Sequence, residues 1–184
     1  GFESIYAAAV QRLISNAACK SFELDPVPAW VFQTFAVELS PFIAALFNAS
    51  MSGGYFPASQ KIASITPILK KASLDPLDLG NYRPISNLTY LSKLLERAAY
   101  EQIVGHMECH HLLPPLQSAY QKHRSTETAT IKVMSDIYRE ADAGLVTLLG
   151  VLDLSAAFDT VDHVILLVRL QHRYGNSGLA LKWI

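Results

Sequence analysis

The chain has 184 residues, 51% hydrophobic and 17% charged, with a formal net charge of −1. This length suits one domain able to bury its own core without a disulfide or metal staple, and the composition excludes a largely disordered chain. The near-neutral charge argues against nucleic-acid binding through global electrostatics.

In chain order, Gly1-Phe2-Glu3 lacks the basic start of a secretory signal. The chain has no initiator Met, which points to a piece of a longer protein. Pro26 and Pro28 precede an apolar stretch, residues 27–47, interrupted by Gln33, Glu38 and Pro41. A membrane-spanning helix needs roughly 20 mostly apolar residues, so none is expected. Residues 29–38 and 41–50 read as two short helices, with Pro41 in the first turn of the second. Gly53-Gly54 breaks the chain. Residues 61–69, with Ile62, Ile65, Thr66 and Ile68, read as a strand that Pro67 demotes to an edge or bulged position. Residues 71–84, rich in Asp, Gly, Asn and Pro, read as a loop.

Asn87 is the expected cap of a helix running to about Glu108, with Leu88, Leu91, Leu95, Ala99 and Ile103 on one face. Residues 110–124 hold Pro114-Pro115 and read as irregular. Ser125 or Thr126 caps the next helix, whose stripe is Ala129, Val133, Ile137 and Ala141 and which Gly144 ends. Residues 145–154, almost unbrokenly apolar and bounded by Gly144 and Ser155-Ala156-Ala157, read as a strand buried on both faces. Residues 164–174 read as a helix stopped near Gly175-Asn176, and a helical stub reaches Ile184. The sum is a helix-rich α+β chain.

Charge is uneven along it. Residues 1–60 carry −2, residues 61–133 carry +3 and residues 134–184 carry −2. The weak basic island has the solvated surface as its plain reading. Cys19 and Cys109 give no disulfide framework, which suits a reducing compartment. His106, Cys109, His110 and His111 include two histidines at i and i+4, a spacing that can share a metal. No second ligand cluster follows at zinc-like spacing, so a helix C-terminus favouring His is the preferred reading.

The sharpest local feature is Asp153, at the end of the most apolar run in the chain. A buried carboxylate needs a partner or a metal, and strand ends collect catalytic groups in α/β sites. Spacing alone leaves two roles open: a metal ligand, or a group that caps the following turn or meets a lysine.

Asp153-x-x-x-Ala157-Phe158-Asp159, followed by Val161-Asp162-His163, resembles the first palm motif of reverse transcriptases from non-LTR (LINE-type) retrotransposons of the jockey-like branch. Other stretches agree in the same order. They are Pro57-x-x-x-Lys61 running into Ile65-Thr66-Pro67-Ile68-Leu69-Lys70-Lys71, then Asn81-Tyr82-Arg83-Pro84-Ile85-Ser86-Asn87-Leu88 with Ser92-Lys93-x-x-Glu96. Gln117-Ser118-Ala119-Tyr120 and Ser125-Thr126-Glu127-Thr128-Ala129 follow, and Leu24-Asp25-Pro26-Val27-Pro28 lies upstream. The resemblance covers nearly the whole chain.

It implies the fingers and first part of the palm of a right-hand polymerase, incomplete here. Residues 1–57 would be a helical N-terminal extension, residues 58–144 the fingers, and residues 145–184 the start of the palm. The implied activity is two-metal nucleotidyl transfer, adding dNTP to a DNA primer on an RNA template. Mg²⁺, a hard cation, takes oxygen ligands, and paired metals stabilise the attacking and leaving oxygens. The resemblance assigns Asp153 to the first metal carboxylate, with the backbone carbonyl of Leu154 beside the metal. It makes Phe158 the steric gate that excludes a 2′-hydroxyl, although a core Phe is the reading without it. Arg83 becomes the arginine that meets the triphosphate, with Lys70 or Lys71 in a similar role. Lys93 and Glu96, at i and i+3, read as a surface ion pair. Tyr120, Lys122 and Arg124 fall near the template strand by stacking and phosphate contact, with a solvated loop as the equal alternative. The implied setting is intracellular, cytoplasm and nucleus, without a membrane.

The sequence departs from the family pattern in one large respect. Nowhere are two Asp residues adjacent, and no Asp or Glu follows Asp162. Only one of the three expected metal carboxylates is therefore supplied, because Asp159 and Asp162 follow Asp153 too closely to replace the others. Gln121 and Asn176 are smaller departures. The expectation is a polymerase fragment inactive alone. The alternatives are a non-catalytic remnant binding RNA or protein through the basic middle, and an unstable product exposing apolar faces.

Overall fold

The computed structural model of the chain describes residues 1–154 and 157–184. Among these, helix dominates and a single antiparallel hairpin supplies the strands. The core forms where α1 (Ala7–Asn16) and α4 (Tyr90–Cys109) meet α2 (Ala29–Thr34) and α3 (Ala36–Gly53). Val10, Leu13 and Ile14, at helical spacing on α1, are buried. They join Ile43, Ala44, Phe47 and Met51 of α3 and Leu94, Leu95, Ala98 and Ala99 of α4 in one apolar cluster.

The expected break at Ser40-Pro41 is displaced to Phe35, and Pro41 lies inside α3. Proline forfeits one backbone bond, here to the carbonyl of Val37, whose side chain faces solvent. Packing of the apolar helix outweighs that loss. Gly54 ends α3 at φ 62°, where a Cβ would stand 3.0 Å from Leu179 Cδ2. Glycine is thus required both by the left-handed backbone and by the approach of α7 (Gly178–Trp183).

Side chains tie distant segments to this core. Asn48 accepts from the Ile5 N–H at 2.8 Å and donates to the Ile5 carbonyl at 2.9 Å. Gln102 does the same for Glu3, at 2.8 and 3.0 Å. Asp25 accepts from the N–H groups of Phe22 (2.8 Å) and Tyr90 (2.6 Å), joining the 20–28 segment to the start of α4. Trp183 donates to the Ser50 hydroxyl at 2.9 Å and meets Phe2 and Phe56 edge-on.

β1 (Ala63–Leu69) pairs with β2 (Tyr82–Leu88), Pro67 opposite Pro84. The loop reading of residues 71–84 therefore runs three residues into β2, and Asn87, the expected helix cap, lies in the strand. Asn87 donates to Thr66 Oγ1, while Thr89 caps α4 by accepting from the Ser92 N–H. The Lys70 N–H donates to the Asn81 carbonyl, so pairs alternate from that hydrogen-bonded pair. By that count Pro67 and Pro84 form a non-hydrogen-bonded pair. Both missing N–H groups would have pointed away from the ladder, which is why two facing prolines are tolerated.

α5 (Thr126–Asp142) starts with the expected cap at Ser125, as a reciprocal box with Thr128, and Gly144 follows it at φ 76°. Its apolar stripe is not buried; Val133 and Ala141 are exposed.

The largest correction concerns residues 145–154. They form no strand and every one is exposed, with Val146 at 99% and Leu148 at 97%. A doubly buried strand needs a hydrogen-bonded neighbour on each side. The hairpin is the only sheet among the described residues, and it pairs with itself. The Ser155-Ala156 portion of the expected boundary lies outside the described residues. Asp162 caps α6 (His163–His172), accepting from the Ile165 N–H at 3.0 Å.

The core and the satellite helix make opposite demands on stability. Phe47→Ala should cost about 3–5 kcal/mol, whereas Val133→Ala should stay within about 0.5 kcal/mol; urea denaturation followed by circular dichroism measures both.

Candidate nucleic-acid interface

The residues assigned by resemblance lie on two surfaces, the hairpin and the stretch from residue 110 to residue 162. On the hairpin, Arg83 stands opposite Ile68, and by alternation Lys70 shares its face. Both are exposed. Lys70 Nζ donates to the Gly80 carbonyl at 2.8 Å, so its side chain helps close the hairpin loop. That loop is further held by Asp78, which accepts from the Gly80 N–H at 2.8 Å. Tyr82 adds a bond from its hydroxyl to the Pro76 carbonyl at 2.9 Å. Lys71, beyond the strand, is exposed and makes no side-chain hydrogen bond among the described residues.

Between α4 and α5 the chain turns sharply, and three non-glycine residues take positive φ: His111 (53°), Tyr120 (61°) and His123 (60°). Arg124 holds this loop. One of its guanidinium nitrogens donates to the Pro115 carbonyl at 2.7 Å and the Gln117 carbonyl at 3.0 Å. Its first role is therefore to shape the segment that presents Tyr120 and Lys122. Tyr120 is 80% exposed and Phe158 is 76% exposed. Their rings nevertheless meet edge-on, with centroids 6.3 Å apart and an interplanar angle of 80°. A residue expected near the template and one expected beneath the sugar are thus neighbours.

Tyr120 and Lys122 also line a cavity of about 480 Å³ with Arg12, Arg97 and Tyr100. Arg97 stands over the Tyr100 ring at 5.2 Å. These three lining residues were not singled out by sequence reasoning. Arg97 and Tyr100 share a helix face at i and i+3, a usable signal. Arg12 is distant in sequence and joins them through Glu101, which meets Arg12 at 3.2 Å and Arg97 at 3.4 Å.

Asp153 and Leu154 are exposed, in the extended stretch after Gly144. Asp153 has no hydrogen-bond or ion-pair partner among the described residues. It is not the end of a buried strand, because that strand does not form. Its carboxylate is chemically suited to Mg²⁺. However, the described residues contain no group of three or more His, Cys, Asp or Glu that could hold a metal ion. The donor set present therefore does not fit a two-metal centre.

Lys93 and Glu96 do not form the expected contact pair among the described residues. Lys93 Nζ sits 3.5 Å from the centroid of the Phe22 ring. Burial lowers its pKa from the ordinary lysine value, with Asp25 and Glu96 acting in the opposite direction. His106 and His110 approach with ring centroids 4.6 Å apart, and His106 Nε2 lies 3.0 Å from the Tyr174 carbonyl. That contact ties α4 to the turn after α6.

Residues 68–180 match the family model described as reverse transcriptase (RNA-dependent DNA polymerase). The match spans well over half of the chain, which therefore belongs to the reverse transcriptase family. Among curated relatives, it is 31% identical over 122 residues to the RNA-directed DNA polymerase from mobile element jockey of Drosophila funebris, covering 66% of this chain and 13% of that protein. It is 31% identical over 132 residues to the probable RNA-directed DNA polymerase from transposon X-element of Drosophila melanogaster, covering 71% and 14%. With the probable RNA-directed DNA polymerase from transposon BS of the same organism, identity is 28% over 154 residues, covering 84% and 17%. The chain thus spans only 13–17% of the length of these relatives.

The loop geometry makes Arg124 a shaping residue. Arg124→Ala should raise amide exchange across residues 115–124 by about tenfold or more, as expected when a local charged hydrogen-bond anchor is lost. Exchange in α3 and α4 should be unchanged in the same hydrogen-exchange measurement.

Proposed function

We propose that this chain is the fingers and first palm segment of an RNA-directed DNA polymerase from a jockey-like non-LTR element, and that alone it does not extend primers. The observation that carries the reading is the ordered set of family motifs, ending on Asp153. In this reading Arg83, with Lys70 or Lys71, meets the nucleotide triphosphate from the hairpin. Of the two lysines, Lys71 has the freer ammonium, because Lys70 is engaged by the Gly80 carbonyl. Tyr120 and Lys122 face the template strand, where an aromatic ring stacks on a base and an ammonium meets a phosphate. Phe158 serves as the steric gate beside Tyr120. Asp153 and the Leu154 carbonyl are one corner of a magnesium site whose other carboxylates this chain does not contribute. The setting is intracellular. No described helix is long and apolar enough to cross a membrane.

A second reading is a non-catalytic RNA-binding remnant. It is favoured by the cavity that joins Arg12, Arg97, Tyr100, Tyr120 and Lys122, cations and aromatic rings that stand beside Glu101 and Glu108 and are independent of Asp153. Both readings place RNA on this surface and differ in chemistry.

On a primed RNA template with Mg²⁺ and dNTPs, incorporation by the chain should not exceed background. Synthesis abolished by Asp153→Ala would overturn the claim of inactivity. A single-stranded RNA should bind with affinity that falls as salt rises, with a slope of about 0.7 per phosphate neutralised. Lys122→Ala should reduce that slope.

A further inference from the structure

His106 lies in the last turn of α4 and His110 stands at its end, four residues on. That spacing puts two imidazoles on one helix face, where they can share a cation. Their rings approach with centroids 4.6 Å apart and an interplanar angle of 59°. Both line a cavity of about 440 Å³ between the end of α4, the Phe2-Glu3 segment and the turn at residues 175–177, so an ion there has room for its own waters. The tautomer of His106 follows from its partner. Nε2 lies 3.0 Å from the Tyr174 carbonyl, which can only accept, so Nε2 carries the hydrogen. In the neutral ring Nδ1 then holds the free lone pair. A second ring nitrogen that donates to a backbone carbonyl is the support that orients metal-binding histidines and raises their basicity. His110 is exposed and makes no side-chain hydrogen bond among the described residues.

Formal charge in the lining is balanced, because the Gly1 amino terminus offsets Glu3, and Glu101 is matched by Arg12 and Arg97. The lone pairs therefore decide what binds. Imidazole nitrogen suits zinc, copper and nickel, whereas magnesium takes oxygen. The carbonyl end of α4 adds partial negative charge that favours a cation. We infer that His106 and His110 together bind a divalent ion of the zinc class, through Nδ1 of His106 and one ring nitrogen of His110. The described residues bring no third His, Cys, Asp or Glu to the pair. Cys109, which lines the same cavity, is therefore not a ligand, and water fills the remaining positions. The site differs from the Asp153 corner in place and in donor type, and it stands whether or not the chain descends from an active polymerase.

Titration of the full chain with Zn²⁺, followed by amide and imidazole nitrogen chemical shifts, tests the inference without depending on how a variant folds. Before metal is added, His106 should show the Nε2–H tautomer. Zn²⁺ should then move the His106 Nδ1 resonance and the amides around residues 106, 110 and 174, and Mg²⁺ at the same concentration should move neither. His110→Ala removes an exposed ring and should weaken Zn²⁺ binding by about tenfold or more. Cys109→Ser should bind as the unaltered chain does. So should His111→Asn, in which asparagine suits the φ of 53° at that position. A His106 Nδ1 resonance that Zn²⁺ leaves in place, binding indifferent to His110→Ala, or a tenfold loss with Cys109→Ser or His111→Asn would each overturn the assignment.

Discussion

An apolar helix that must be covered on several sides organises this molecule. α3 carries Ile43, Ala44, Phe47 and Met51, and Phe47 is 1% exposed. Burying such a helix requires neighbours around much of its circumference. α1, α2 and α7 provide them on the inner side, with α4 completing the cluster, while Val37, Phe42 and Leu46 stay exposed on the other. The same helix supplies the polar anchors: Asn48 holds the backbone at Ile5, and Ser50 receives the Trp183 indole. Segments far apart in sequence therefore meet on one helix. Everything carried on the outside, including the hairpin, the 110–124 loop and α5, is positioned from this base.

Much of the helical framework was legible in the residues. The Ser125 cap and Gly144 stop bracket α5, and the 3.6-residue recurrence of Leu91, Leu95 and Ala99 marks α4. These are local signals, acting over one or two turns. The second strand escaped because Pro84, Ser86 and Asn87 have loop composition, and only pairing with β1 makes them a strand. Residues 145–154 show the converse. Their composition suits a buried strand, but a strand is a relation between segments, and the described residues hold no second partner for this one. The break at Phe35 was misplaced to Pro41 because local proline preference was weighed without the tertiary contacts of α3.

The candidate site was legible in the types of residue more than in their grouping. Arg83, Tyr120, Lys122, Asp153 and Phe158 stand out through family pattern and chemistry. The meeting of Tyr120 with Phe158 has no trace in sequence spacing, since it depends on how the 110–124 loop turns back. Arg124 looked like a ligand contact because it is a cation among aromatic and basic residues. Its hydrogen bonds to the Pro115 and Gln117 carbonyls give it a structural role that only coordinates reveal. Lys93 likewise looked like half of an ion pair; its ammonium sits on an aromatic ring and acts on Glu96 only without direct contact.

The facing prolines of the hairpin carry a consequence for association between chains. In the non-hydrogen-bonded pair, each proline removes an outward donor from its own strand, at the same level on opposite margins. An incoming strand would find the ladder interrupted on whichever margin it approached. The ribbon is thereby shielded from edge-to-edge growth on both sides. Residues 145–154 contain no proline and one charge, and they have no such protection. The hazard of intermolecular β-pairing thus falls on that ten-residue stretch and not on the β-structure the protein already has.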